Sequence, residues 1–108
     1  MLRPLIITVP SLPTAAMALF PFVLVKKKEY KTNPILINHE KIHLRQQLEL
    51  LIVLFYLLYL INYLVNLLRG KNHYQAYRNI IFEKEAYSME THFSYLKKRK
   101  FLAWYHFL

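Results

Sequence analysis

Hydrophobic and polar positions change their rhythm several times along this chain. Apolar runs at 5–9 and 18–25 are short, and Pro10-Ser11-Leu12-Pro13 between them reads as a turn. Runs of that length predict two strands, paired as a hairpin within residues 1–33. Pro21 confines the second strand to an edge, because proline has no N–H to give to a ladder. A secretory leader is the competing pattern: Met1-Leu2-Arg3 precedes an apolar region, and Ala16-Met17-Ala18 has the form of a cleavage site. Prolines at 4, 10 and 13 interrupt that region, so strands fit it better.

Helical character begins at Asn33-Pro34, with proline at the first helical position, and no glycine or further proline occurs until Gly70. Residues 35–47 are polar and charged, whereas 48–68 are almost wholly apolar, interrupted by Glu49, Asn62 and Asn66. As one helix the apolar part is about 31 Å long, enough for the hydrocarbon core of a bilayer. Tyrosines and asparagines at 56, 59, 62, 63 and 66 give it an interfacial character, so it crosses or lies shallowly and bends back. Arg69-Gly70-Lys71-Asn72 is the clearest break. Asn79 is placed to cap a final helix over 79–98. Lys97-Lys98-Arg99-Lys100 and the aromatic tail 99–108 read either as an interfacial anchor or as a packed terminal segment. The sum is one α+β domain over 1–108, mainly helical: a strand pair, a long helix running into an apolar segment over 34–68, and a C-terminal helix.

Composition sharpens this. Hydrophobic residues make up 56% of 108 positions, more than a domain of this size can hide, so lipid or a partner must cover the surplus. Fifteen Lys and Arg against 6 Asp and Glu give a formal charge of +9, which suits anionic phosphates. The apolar segment favours membrane lipid as partner, and with no nucleic-acid motif in view no nucleic acid is expected. Cysteine is absent, so any metal must be held by histidine and carboxylate.

One pattern carries chemistry: His39-Glu40-Lys41-Ile42-His43. On a helix His39 and His43 stand one turn apart on the same face and can reach one metal ion. Glu40 lies about 100° around the helix, beside the metal, where it can serve as base towards a water on the ion. Zinc is the expected ion for such a donor set. The downstream acids are Glu49, Glu83, Glu85 and Glu90, of which Glu49 lies too far along the same helix to fold back.

The HExxH helix with later glutamates resembles the gluzincins, zinc peptidases whose third ligand is a glutamate on a later helix. In particular it resembles their membrane-bound groups, the CAAX prenyl proteases and the beta-lactam sensor peptidases, and small uncharacterised bacterial proteins of that type. Those groups place an ExxxD motif downstream; here Glu83-Lys84-Glu85-Ala86-Tyr87 stands in its place, with Tyr87 where the family has aspartate. The resemblance implies Glu83 as third ligand, with Glu85 the alternative. It also implies a peptide or protein substrate and a bacterial inner-membrane location.

Geometry constrains this reading. Were 35–68 one straight helix with a tight hairpin at Gly70, Glu83 would fall about 20 Å short of the metal. Either 69–79 runs back extended, or the helix breaks in the 50s. Tyr87, Tyr77, Tyr74 and His92 are candidate donors to an oxyanion, Tyr87 being the chosen one. Gln46 and Gln47, one turn beyond His43, are placed to orient it, although solvated surface is the favoured reading. The free edge of the N-terminal strands can hold an extended peptide if it lies over the metal. The predicted function is therefore membrane-associated, zinc-dependent hydrolysis of peptide bonds. A non-catalytic membrane subunit or adaptor with a relic motif, and a basic membrane-surface binder, are the alternatives.

Overall fold

A computed structural model describes residues 4–108. The leader-like start Met1-Leu2-Arg3 lies outside the described residues. Three strands form where two were expected: β1 (Leu5–Thr8), β2 (Ala16–Leu19) and β3 (Phe22–Val25). The apolar run 18–25 is not one strand, because it reverses at a turn holding the cis Phe20-Pro21 bond. Pro21 therefore sits in a turn, where no ladder donor is needed, rather than on an edge strand. The sheet order is β1-β3-β2, with β3 parallel to β1 and antiparallel to β2. Val23 and Val25 of the central strand are fully buried against Ile37 and Leu44 of the first helix, as alternation along a one-sided strand requires.

Helix α1 (Pro34–Glu49) starts as the sequence predicts: Asn33 Oδ1 accepts the Leu36 N–H at 3.1 Å, and Pro34 comes directly after the cap. It does not continue into the apolar segment. The chain bends by 112° between α1 and α2 (Val53–Leu68), so the single long helix over 34–68 is corrected to two. Leu51 and Ile52 both take positive φ, 55° and 63°, and the Val53 N–H donates to Leu51 O across a γ-turn at 2.6 Å. Such a backbone costs an isoleucine on the order of 1–3 kcal/mol. The Ile52 N–H donating to Gln47 O at 2.7 Å helps hold it. Among the described residues no single helix is long and apolar enough to cross a membrane.

The polar residues inside the apolar segment fasten α2 to the two helices after it. Asn66 Nδ2 donates to Ala76 O at 3.0 Å, in α3 (His73–Arg78). Asn62 Oδ1 accepts the N–H of Ile81 at 2.8 Å, the first residue of α4 (Ile81–Met89). The predicted cap, Asn79, instead ends α3, its amide donating to Gln75 O. The expected 79–98 helix is likewise divided, into α4 and the short α5 (Tyr95–Lys98). Between them Asn38 of α1 donates to the carbonyl of Glu90 at 2.9 Å and pins the turn.

The tail packs rather than extending as a whole into solvent. Leu102 and Trp104 join Phe55, Ile80 and Phe82 in one apolar cluster. Within the basic run, which the sequence leaves open between anchor and packed segment, Arg99 is buried: it bonds Glu85 through both Nε and Nη2 and Glu49 through Nη1.

Candidate metal centre

Helix α1 carries the two histidines inward on one face, and α4, packed across it, delivers the carboxylate. His39 Nε2 lies 3.2 Å and His43 Nε2 3.0 Å from the same oxygen, Oε1 of Glu83. All three side chains are buried, and one ligand atom from each lies within 4.8 Å of the others. In a tetrahedral zinc site with bonds near 2.1 Å, ligand atoms stand roughly 3.4 Å apart. The break at 50–52 makes this possible, since it folds α2 back and lets α4 approach α1.

The outward nitrogens are committed. Glu90 Oε1 lies 2.7 Å from His39 Nδ1, and an ionised carboxylate only accepts, so that nitrogen carries the proton. Gln46 donates its amide to Phe82 O and to Glu85 Oε1, leaving its Oε1 to accept from His43 Nδ1 at 2.8 Å. With both Nδ1 atoms donating, both Nε2 lone pairs point at a carboxylate oxygen. Three acceptors converging in this way need a cation or a proton between them. The donor set thus fits a divalent ion, and its outer partners are of the kind that fix ligand tautomers.

Without metal, a proton fills that role. Burial pulls the His43 imidazole down, but the charge and hydrogen bond of Glu83 outweigh it and lift the pKa from 6.5 to about 9. Burial pushes Glu83 up, yet the two histidines and Tyr59, whose hydroxyl donates to Oε2 at 2.6 Å, hold it well below the usual carboxylate range. A raised histidine pKa stabilises the fold below pH 6.5 and stops doing so as pH climbs towards about 9. The thermal midpoint of chelator-treated protein is expected to fall over that window, while zinc affinity rises, by about tenfold per pH unit for each proton displaced. Calorimetry and zinc titration between pH 6.5 and 9 check both trends.

Glu40 is buried and lines two recesses that meet at His39, of about 250 and 290 Å³. Burial raises its pKa, with the two histidines pulling the other way. Ala16, Met17 and Ala18 of β2 wall the first recess, so an edge strand does stand beside the centre. Gln47 anchors it: its amide donates to Ala18 O at 2.9 Å and its oxygen accepts the Phe20 N–H at 2.8 Å. Gln46 and Gln47 are both buried rather than solvated, and Gln46 orients His43 as the spacing allowed.

Of the tyrosines, Tyr77 lines both recesses and Tyr87 only the second. The Tyr87 ring packs edge-on to His39 at 4.5 Å under the Arg78 guanidinium, with its hydroxyl 2.7 Å from that of Tyr77. Burial, and then the charge of Glu83, raises the Tyr77 pKa, so its hydroxyl keeps its proton. Tyr74 and His92 are exposed and line neither recess. Glu85 is not among the converging groups; Arg99, Tyr95 and Gln46 hold it behind them.

No family model, curated protein or solved structure matches this chain. The site itself is therefore the basis for a functional reading.

Two residues at the centre have no place in the sequence pattern. Glu90 reads only as a downstream acid, although seven positions from Glu83 is two helical turns and hence the same face. Tyr59 carries no signal beyond its place in the apolar segment. Replacing Glu90 by Ala is expected to weaken zinc binding about 10–100-fold with the fold retained, as competition with a chromogenic chelator can measure.

Proposed function

We propose that this protein is a zinc-dependent peptide-bond hydrolase of the gluzincin arrangement, with His39, His43 and Glu83 as ligands and Glu40 as general base. One observation carries the reading: the Nε2 atoms of His39 and His43 meet Oε1 of Glu83 at 3.2 and 3.0 Å, with Glu40 lining the recesses beside them. When bound, zinc supplies Lewis acidity, polarising a carbonyl and lowering the pKa of water.

The residues divide the remaining work. Glu40, buried and with its pKa raised, accepts a proton from the attacking water and returns it to the departing amine. Tyr77, a hydroxyl kept protonated and facing both recesses, donates to the oxyanion of the tetrahedral intermediate, and Tyr87 orients it through their shared hydrogen bond. An extended peptide lies beside β2, its side chains falling into a recess walled by Met17, Phe55 and Tyr56.

Protein purified from zinc-supplemented cells is expected to carry one zinc per chain, lost in His43→Ala, and to cleave a mixed peptide library read by mass spectrometry. Stoichiometric zinc without cleavage of any peptide would return the chain to a non-catalytic, adaptor role; no zinc at all would sink the reading.

A further inference from the structure

One long side of α2 is covered by nothing in the described chain. At about 100° per residue, Phe55, Tyr59, Asn62 and Asn66 share the inward side. Leu54, Leu57, Leu60, Ile61, Leu64 and Leu68 share the opposite one and are 45% to 87% exposed. No charged residue occurs between 53 and 68. These six leave an apolar surface on the order of 600 Å², the size at which such a face marks an interaction site.

Cationic and aromatic groups border this part of the molecule. Arg69 is exposed directly after α2. The tail packs on the protein side of this helix, where Leu102 and Trp104 rest on the cluster of Leu50, Phe55, Ile80 and Phe82 that Leu58 and Tyr59 also flank. In this segment Lys97, Lys98, Lys100, Phe101 and Tyr105 are exposed.

We infer that α2 lies flat in the headgroup layer of an anionic bilayer, its leucine row immersed and its inward side facing the protein. Two features argue against α2 crossing by itself. The helix is about 24 Å long against a hydrocarbon core of roughly 30 Å. Its inward side is also fastened to α3, α4 and Glu83 by Asn66, Asn62 and Tyr59, so lipid cannot surround it. A second copy is the poorer occupant, since each chain brings a charge of +9. An anionic surface meets the apolar row and the bordering cations together.

The consequence for substrate rests on the metallopeptidase reading. Phe55, Tyr56 and Tyr59 of the same helix line the recess at the metal cluster, which therefore stands about one helix diameter, roughly 10–12 Å, above the lipid. The substrates are polypeptides tethered to that membrane, cut in the extended segment just above the headgroups.

Co-sedimentation of the full chain with phosphatidylcholine vesicles, with and without phosphatidylglycerol, tests this. The protein is expected to pellet with the anionic vesicles and about tenfold less with neutral ones. Leu57→Glu combined with Leu64→Glu, both on the exposed side, is expected to lose at least about tenfold in binding. Its zinc content and cleavage of a soluble peptide are expected to match the parent protein. His39→Ala with His43→Ala is expected to lose zinc and pellet unchanged, which separates failure of the site from failure of the surface. Parent protein that stays in solution with both vesicle types overturns the inference, as does a zinc-loaded double-glutamate variant that still pellets. A parent dimer that this variant renders monomeric also overturns it and gives the face to a second copy. Should the variant fold too poorly to retain zinc, the anionic-versus-neutral comparison on the parent protein decides alone.

Discussion

Glu40→Gln is expected to keep its zinc and lose hydrolysis, by on the order of 10²–10⁴-fold in kcat. The amide is nearly the same shape, and Glu40 is not among the three convergent ligands, so metal affinity has little reason to change. What disappears is a group able to take and return a proton. The ligand variants behave differently. His43→Ala removes one of three protein donors and leaves the buried Glu83 carboxylate short of a partner, so metal and activity go together. Measuring zinc content beside kcat separates the two classes. A Glu40→Gln protein as active as the parent would remove the general base from the mechanism.

Arg99→Ala is the other large effect, on stability. Arg99 is buried between Glu85 and Glu49, with Nη2 3.0 Å from Glu85 Oε1 and Nη1 2.7 Å from Glu49 Oε2. Burial alone would raise the Glu85 pKa, yet hydrogen bonds from Arg99, Tyr95 and Gln46 hold it below the ordinary carboxylate range. Removing the guanidinium strands these carboxylates, at a cost of about 3–5 kcal/mol. For a chain of this length the thermal midpoint is expected to fall by at least roughly 15 °C. Lys98→Ala, an exposed neighbour, is expected to change stability by less than about 0.5 kcal/mol. The loss reaches the metal as well, because Glu85 fixes Gln46 and Gln46 fixes His43. Unchanged stability in Arg99→Ala would mean that the two carboxylates find other partners.

The pairing of His39 with His43 is legible because its information is local. Histidines four apart share a face of any helix, and the Asn33-Pro34 start was unmistakable. The bend that brings Glu83 to them is legible only as one of two ways to close the gap, and not from its own residues. Leu50-Leu51-Ile52 contains no glycine or proline, and nothing local announces a γ-turn at an isoleucine; the chain accepts it because both flanking helices are fastened elsewhere. The strands failed for a related reason. The run 18–25 is continuous in hydrophobicity, and its reversal at Phe20-Pro21 shows only in the pairing of Leu19 with Phe22. Gln46 and Gln47 read as surface on side-chain polarity alone, whereas their partners, Glu85 and the β2 backbone, come from distant segments.

Helix α4 begins on a borrowed acceptor. Ile80 at its start offers no side-chain oxygen, and the amide of Asn62, nineteen residues upstream, takes the Ile81 N–H instead. The helix that presents Glu83 is thus set in place only once the greasy helix before it has docked. A nascent or half-folded chain would show two histidines and no closing carboxylate, and would grip metal weakly. Under the proposed metallopeptidase reading, metal retention is therefore a gauge of finished molecules, and immature ones lack the third ligand.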